Sequence, residues 1–384
     1  MATADDQQNG ENQAIDLSPF FLCPLCPFEK YRNRNNFLNS FPQAVEKKGI
    51  SRKKRKTAKV LTWDYYDSAG KLISNQKIQE RCNKLVLPPA WEDVWISVDA
   101  QANLQATGKD AKGRLQYRYH ENWTKARAEE KFDGMTGFAK TLPSIRKKVE
   151  SDLKLEGMPK NKVAALIIKL IDLYHFRVGN DEYAKKNKSY GLTTLKEGHM
   201  ILDRSKTAEG ELDAVFEFMG KSGKLWKRRI WEDELVLLIK ASGEIGGNKK
   251  SQDLFRYEDK NGNDFDIKAN HINEYLDAIT SKFGKVTAKD FRTWAATWKT
   301  AYRLSKQLDP DTVSGRKRVA NEVVKTVASD LGNTPTVCRS SYIHPKILSD
   351  WSEGTLRTKW NKASRVKKLP GLSKEETATL QYLK

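Results

Sequence analysis

Tyr342 stands between Pro335 and Pro345, nine residues after the amide side chain of Asn333, in a chain whose formal net charge is +20. A basic protein attracts phosphodiesters. A tyrosine held in a tight, polar segment among such charges is a candidate nucleophile toward them. The chemistry sets its own requirements. A phenol has a pKa near ~10 and attacks weakly at neutral pH. The phosphodiester is already anionic and gathers more negative charge at the transition state, so fixed positive donors must surround it. Arginine suits this best, because it stays charged and its planar fork holds two oxygens at once. The departing sugar 5′ oxygen needs a proton, since an alkoxide leaves poorly.

Each requirement has a candidate, and each candidate sits where an element begins, turns or stops. Val163, Leu166, Ile167, Leu170, Ile171 and Tyr174 recur at helical spacing and predict one buried helix face. That helix stops near Gly179, and Arg177 follows it where the chain leaves the core. Ala214–Met219 and Leu225–Ile230 read as a hairpin around Gly220-Lys-Ser-Gly223, with Lys221 at its tip. Thr287 and Asp290 resemble a capping box, opening a helix with the stripe Phe291, Trp294, Ala295, Trp298 and Tyr302. Arg292 lies in its first turns, beside that stripe but off it. Val319, Val323, Val324, Val327 and Leu331 form another stripe, closed by Gly332 just before Asn333. Taken singly, such residues are ordinarily surface charges, a solvated turn and a helix cap. Their joint occurrence in one chain is what points to phosphodiester chemistry.

The order Arg177, hairpin Lys221, Arg292, Asn333, Tyr342 resembles, box by box, the catalytic set of the type IB DNA topoisomerases, especially the compact bacterial and poxvirus-like forms. The resemblance runs from the start of the β-rich region past the tyrosine. It implies that Tyr342 attacks DNA and becomes linked to a 3′ phosphate, with Arg177 and Arg292 holding the nonbridging oxygens and Lys221 protonating the 5′ oxygen. Asn333 falls where many family members carry histidine and bacterial forms commonly carry asparagine; an amide donates a hydrogen bond but does not titrate. The segment Gln116-Tyr-Arg-Tyr119 is similar to a Gln-Tyr-x-Tyr stretch that contacts DNA in the poxvirus-like enzymes. Tyr117 and Tyr119 would share one strand face, with Gln116 and Arg118 on the other. Tyr183 and Lys289 match phosphate-contacting positions of the family. The resemblance further implies a monomer clamped around double-stranded DNA, with no metal and no cofactor. Gly220-Lys-Ser-Gly-Lys lacks the spacer of a nucleotide-binding P-loop. A tyrosine recombinase shares the chemistry, but such enzymes usually carry His-x-x-Arg where this chain has Lys289-Asp-Phe-Arg292. A basic DNA-packaging protein would explain the charge alone.

Composition sets the frame. At 384 residues with 38% hydrophobic content, the chain has room for two domains and a tail. The first 45 residues hold five acids and three bases, so the basic excess lies beyond them. The reading is α+β: a poorly ordered extension over 1–45, a small β-rich N-terminal DNA-binding domain over 46–122, and an α-rich catalytic domain over 123–384. The run Arg52-Lys-Lys-Arg-Lys56 reads as a solvated or phosphate-facing edge, or as a nuclear-localisation signal. No run of eighteen apolar residues and no signal-peptide pattern occurs, so a membrane is not expected as partner. Four cysteines are too few for a disulfide framework. Cys23 and Cys26 have zinc-ligand spacing without a second ligand pair, and read as ordinary thiols. The expected setting is the cytoplasm, on the nucleoid in a bacterium.

Overall fold

The computed structural model describes residues 48–55, 61–203, 213–247 and 249–384. The extension 1–45, Cys23, Cys26 and Lys56 lie outside the described residues. The described chain divides into two compact units: residues up to 86 with 93–98, and 87–92 with 99–384.

In the first unit, strand β1 (Ile50–Lys54) pairs antiparallel with β2 (Trp63–Tyr66) and with β3 (Glu92–Ile96); helix α1 (Gln76–Lys84) lies between the last two in sequence. The basic run is therefore largely a strand with a neighbour on each side. Its charges are accommodated by aromatic rings: the Arg52 guanidinium lies 4.0 Å from the Trp63 ring centre and the Lys53 ammonium 5.0 Å from that of Tyr66. Ile50 and Ile96, opposite one another, are both buried.

The second unit opens with the antiparallel hairpin β4 (Leu104–Lys109) and β5 (Leu115–Tyr119). Helices α2 (Glu121–Asp152), α3 (Lys160–Tyr174) and α4 (Asp181–Asn187) follow. Next comes an antiparallel sheet in the order β6 (Met200–Asp203), β7 (Asp213–Gly220), β8 (Lys224–Ile230), then α5 (Asp233–Glu244) and the hairpin β9 (Arg256–Glu258) and β10 (Asp264–Asp266). The remainder is helical: α6 (Ala269–Thr280), α7 (Ala288–Ser305), α8 (Val313–Asp330), α9 (Pro335–Ser341), α10 (Pro345–Ser352), α11 (Leu356–Ala363) and α12 (Lys374–Leu383). The α+β class expected from the sequence is the class found. No helix among the described residues is long and apolar enough to cross a membrane.

Helix α3 departs from the one-face expectation. Ala164, Ala165 and Ile168 are buried along with Val163, Leu166, Ile167, Leu170 and Ile171, so the buried face is broader than one stripe. Each fully buried Leu or Ile contributes roughly 1.5–3 kcal/mol. A second apolar cluster gathers the far half of α7 with α8 to α12, around Trp351, Val324 and Leu304.

One arginine ties the first cluster to the C-terminal helix. Arg146 on α2 donates to Asp172 Oδ2 at 2.7 Å and Oδ1 at 3.0 Å, to Glu376 Oε2 at 2.8 Å and Oε1 at 2.9 Å, and to the Gly371 carbonyl at 2.8 Å. All five guanidinium donors are used. Glu376 is buried and also accepts from Trp294 Nε1, and its carboxyl is held below the usual range by Arg146 against the cost of burial. Removing the arginine strands two carboxylates. Arg146→Met is expected to lower stability by about 3–5 kcal/mol, read as a fall in the urea midpoint; an unchanged midpoint would mean the network is energetically idle.

Candidate active site

Arg177 is aimed by a helix stop two residues earlier. The sequence placed that stop near Gly179, but α3 ends at Tyr174 and His175 makes the left-handed turn, with φ 60°. The fully buried Phe176 then anchors the chain among Phe216, Trp226 and Phe218, at ring separations of 5.6, 5.7 and 6.3 Å. Arg177 follows immediately and reaches the end of α8, where its Nη2 donates to the Gly332 carbonyl at 2.9 Å and to Asn333 Oδ1 at 2.6 Å.

The end of α8 is a paired backbone closure. Gly332 N–H donates to the Ser329 carbonyl and Asn333 N–H to the Ala328 carbonyl, at 3.0 and 2.8 Å, which is the Schellman pattern with Gly332 at C′. Gly332 has φ +58°, and a Cβ there would stand 2.0 Å from the Trp226 ring. Gly332→Ala thus combines a strained backbone with a clash, and about 2–4 kcal/mol of stability should be lost. An alanine variant with the parent's urea midpoint would show that the turn is not held as described.

Arg292 lies beside the apolar stripe of α7 and yet is only 3% exposed. The guanidinium is buried because carbonyls receive it: it donates to the carbonyl of His175, to that of Leu331 at 2.8 Å, and to Asn333 Oδ1 at 3.4 Å. Burial first, then the Arg177 charge, push it down to about 10, with the Tyr342 hydroxyl pulling the other way. It stays charged at neutral pH. The expected capping pair supports it: Asp290 Oδ2 accepts from Thr287 N–H at 2.8 Å and from its Oγ1 at 2.9 Å.

Asn333 is oriented by these two arginines. Its Oδ1 accepts from both, so its Nδ2 points elsewhere, and this buried amide nitrogen has no partner among the described residues. Tyr342 closes α9. Its N–H donates to the Cys338 carbonyl at 3.0 Å, and its own carbonyl accepts from Thr297 Oγ1 at 3.2 Å. The same Thr297 oxygen receives the N–H of His344. The Arg292 guanidinium carbon lies 5.6 Å from the Tyr342 ring centre. Arg177, Arg292, Asn333 and Tyr342, spread over 165 positions, thus meet at one place.

Lys221 stands apart from them. It is exposed, on a three-residue turn between paired Gly220 and Lys224 with Gly223 at φ +68°, and it bonds to none of the described residues. The base of its hairpin is nevertheless fixed to the site. The Trp226 ring lies against Gly220 and Gly332 and 5.8 Å from the Arg177 guanidinium. One tryptophan thus joins the hairpin, the α8 turn and Arg177. The sequence presented it only as an apolar strand residue.

The other expected contacts fall on β5, α4 and α7. Tyr117 and Tyr119 stack with ring centres 6.1 Å apart, and Gln116 Nε2 donates to Asp110 Oδ2 at 3.0 Å. Tyr183 is exposed beside Arg114 of the β4–β5 turn. Lys289 is exposed in the first turn of α7. Lys131 on α2 was not anticipated at all. It donates to the Ser341 carbonyl, and its ammonium is 5.5 Å from the Tyr342 ring centre.

A buried and a partly buried arginine converging on an oriented amide and a tyrosine define a site for an anionic oxygen cluster next to a nucleophile. Two family models match the chain: the eukaryotic DNA topoisomerase I catalytic core over residues 120–369, and the bacterial DNA topoisomerase IB N-terminal domain over residues 62–110. DNA topoisomerase 1B of Acanthamoeba polyphaga mimivirus is 32% identical over 283 residues, covering 73% of this chain and 81% of that protein. DNA topoisomerase 1B of vaccinia virus strain Copenhagen is 22% identical over 288 residues, with the same coverage of each chain. DNA topoisomerase 1 of Schizosaccharomyces pombe is 27% identical over 190 residues, covering 49% of this chain and 21% of that protein. The chain belongs to the type IB DNA topoisomerase family. The recombinase alternative is not favoured.

Proposed function

We propose that this protein relaxes supercoiled duplex DNA by cutting one strand through Tyr342, letting the ends rotate, and resealing. The observation that carries this reading is the Asn333 side chain. Its oxygen is taken by Arg177 and Arg292, and its buried nitrogen has no partner among the described residues. A phosphodiester beside Tyr342 would supply that missing acceptor and neutralise the two guanidiniums.

In this mechanism the Tyr342 Oη–P bond forms as the P–O5′ bond breaks, and water takes the phenol proton. The arginines hold the nonbridging oxygens, where charge accumulates. Lys221 brings its proton to O5′ from its turn, a motion open to an exposed lysine and closed to arginines held by carbonyls and Asn333. Asn333 donates to phosphate and has no proton to give up. The resulting 3′ phosphotyrosine retains the energy of the broken bond, so the 5′ hydroxyl reverses the reaction without nucleotide or metal. Gln116, Tyr117, Tyr119, Tyr183 and Lys289 contact the duplex around the cut, and the protein acts as a monomer closed around DNA.

The test is relaxation of supercoiled plasmid in EDTA without ATP. Both positive and negative supercoils should be removed. A strict requirement for added Mg²⁺ or ATP would overturn the mechanism.

A further inference from the structure

Lys131 lies 211 positions before Tyr342 yet touches its segment, and none of the roles above uses it. It projects from the long α2 helix and donates to the carbonyl of Ser341, the residue just before the tyrosine. Its ammonium is 5.5 Å from the Tyr342 ring centre and 4.8 Å from that of Phe132. Tyr342 ends a helix of only seven residues, α9, which is too short to hold a terminal side chain still by its own hydrogen bonds. Thr297 fixes the backbone on one side of the tyrosine. Lys131 fixes the peptide on the other side and places a charge against the ring.

We propose that Lys131 is a positioning residue for strand cleavage, holding the Tyr342 segment on α2 and presenting the cation that favours the tyrosine's developing negative charge. This inference rests on Tyr342 being the nucleophile. A cation near an aromatic ring attracts it, and attracts a phenolate more strongly than a phenol. The surroundings suit such a group. Lys131 is partly buried, and burial first, then the neighbouring Lys289 charge, push its ammonium down to about 8, with Asp290 opposing. From the start of α10, His344 packs its ring on Phe132 at 5.2 Å. Burial and Lys346 push that imidazole down to about 4, with Asp133 opposing, so at neutral pH it adds no charge of its own. Lys131 is thus the cation that α2 supplies to Tyr342, as Arg292 is the one that α7 supplies.

The test separates cleavage from binding. Single-turnover covalent capture on a duplex whose downstream strand is lost after cleavage reports the tyrosine's attack. Affinity for uncut duplex, measured with Tyr342→Phe also present, reports binding alone. Lys131→Met should slow capture about thirtyfold while changing affinity less than about threefold. Lys131→Arg, which restores both the charge and the donor to Ser341, should recover most of the rate. Capture by Lys131→Met at the parent rate would overturn the inference. So would an affinity loss as large as the rate loss, which would make Lys131 a phosphate contact only. An arginine variant as slow as the methionine one, at equal thermal stability, would equally overturn it. Capture that persists in Tyr342→Phe alone would sink the nucleophile assignment itself, a result distinct from all three.

Discussion

Tyr342→Phe should bind duplex DNA about as well as the parent and form no covalent complex with it. The substitution removes one oxygen and leaves its surroundings in place. The backbone remains held by Cys338 and Thr297, and Arg292 keeps its bonds to the carbonyls of His175 and Leu331 and to Asn333. The segment is held through backbone groups, while the phenol hydroxyl interacts with the Arg292 and Arg177 guanidiniums, so its loss should not unfold the site. What disappears is the atom that makes the new bond to phosphorus. Trapping on labelled duplex in SDS, alongside a filter-binding or fluorescence measurement of affinity, reads both halves. A shifted DNA–protein band from the phenylalanine variant would remove Tyr342 from the nucleophile role.

Lys221→Ala should slow cleavage by roughly 10²–10⁴-fold, the usual worth of a general acid, with a much smaller effect on binding. Lys221 is exposed on its turn and bonds to no described residue, so truncation should cost little stability. The decisive substrate carries sulfur in place of the bridging 5′ oxygen, because a thiolate leaves well without a proton. Sulfur should restore Lys221→Ala strongly. It should not restore Asn333→Ala, whose defect lies at a nonbridging oxygen. If the sulfur substrate leaves the Lys221→Ala defect unchanged, the proton comes from another group, and the hairpin lysine is only a phosphate contact.

The parts of the site legible in the sequence were those tied to local signals. The α7 and α8 stripes, the Thr287–Asp290 cap, the Lys221 turn and the glycine closing α8 all depend on residues within a few positions of one another, and periodicity and cap chemistry report such features directly. The burial of Arg292 is not legible in sequence, because a stripe of apolar residues says nothing about a charged side chain received by carbonyls 117 and 39 positions away. Lys131 was invisible for the same reason, its partner lying 210 positions on. Trp226 looked like any aromatic on a strand until the turn at Gly332 closed over it. The helix stop falls at His175 and not near Gly179, in a left-handed turn that local preference alone would assign to glycine. Strand β1 was hidden inside a run of basic residues whose aromatic neighbours come from a different strand. The helices α9 to α12 are short, seven to ten residues each, and are held by tertiary packing more than by pattern.

The most direct test of the central claim is to identify the bond itself. Covalent complex formed on a duplex of known sequence is digested with protease and nuclease, and the nucleotide-bearing peptide is sequenced by mass spectrometry. The account predicts a peptide modified at Tyr342, with the nucleotide attached through its 3′ phosphate and the released strand ending in a 5′ hydroxyl. A nucleotide on any other residue, or a linkage through a 5′ phosphate, would contradict it.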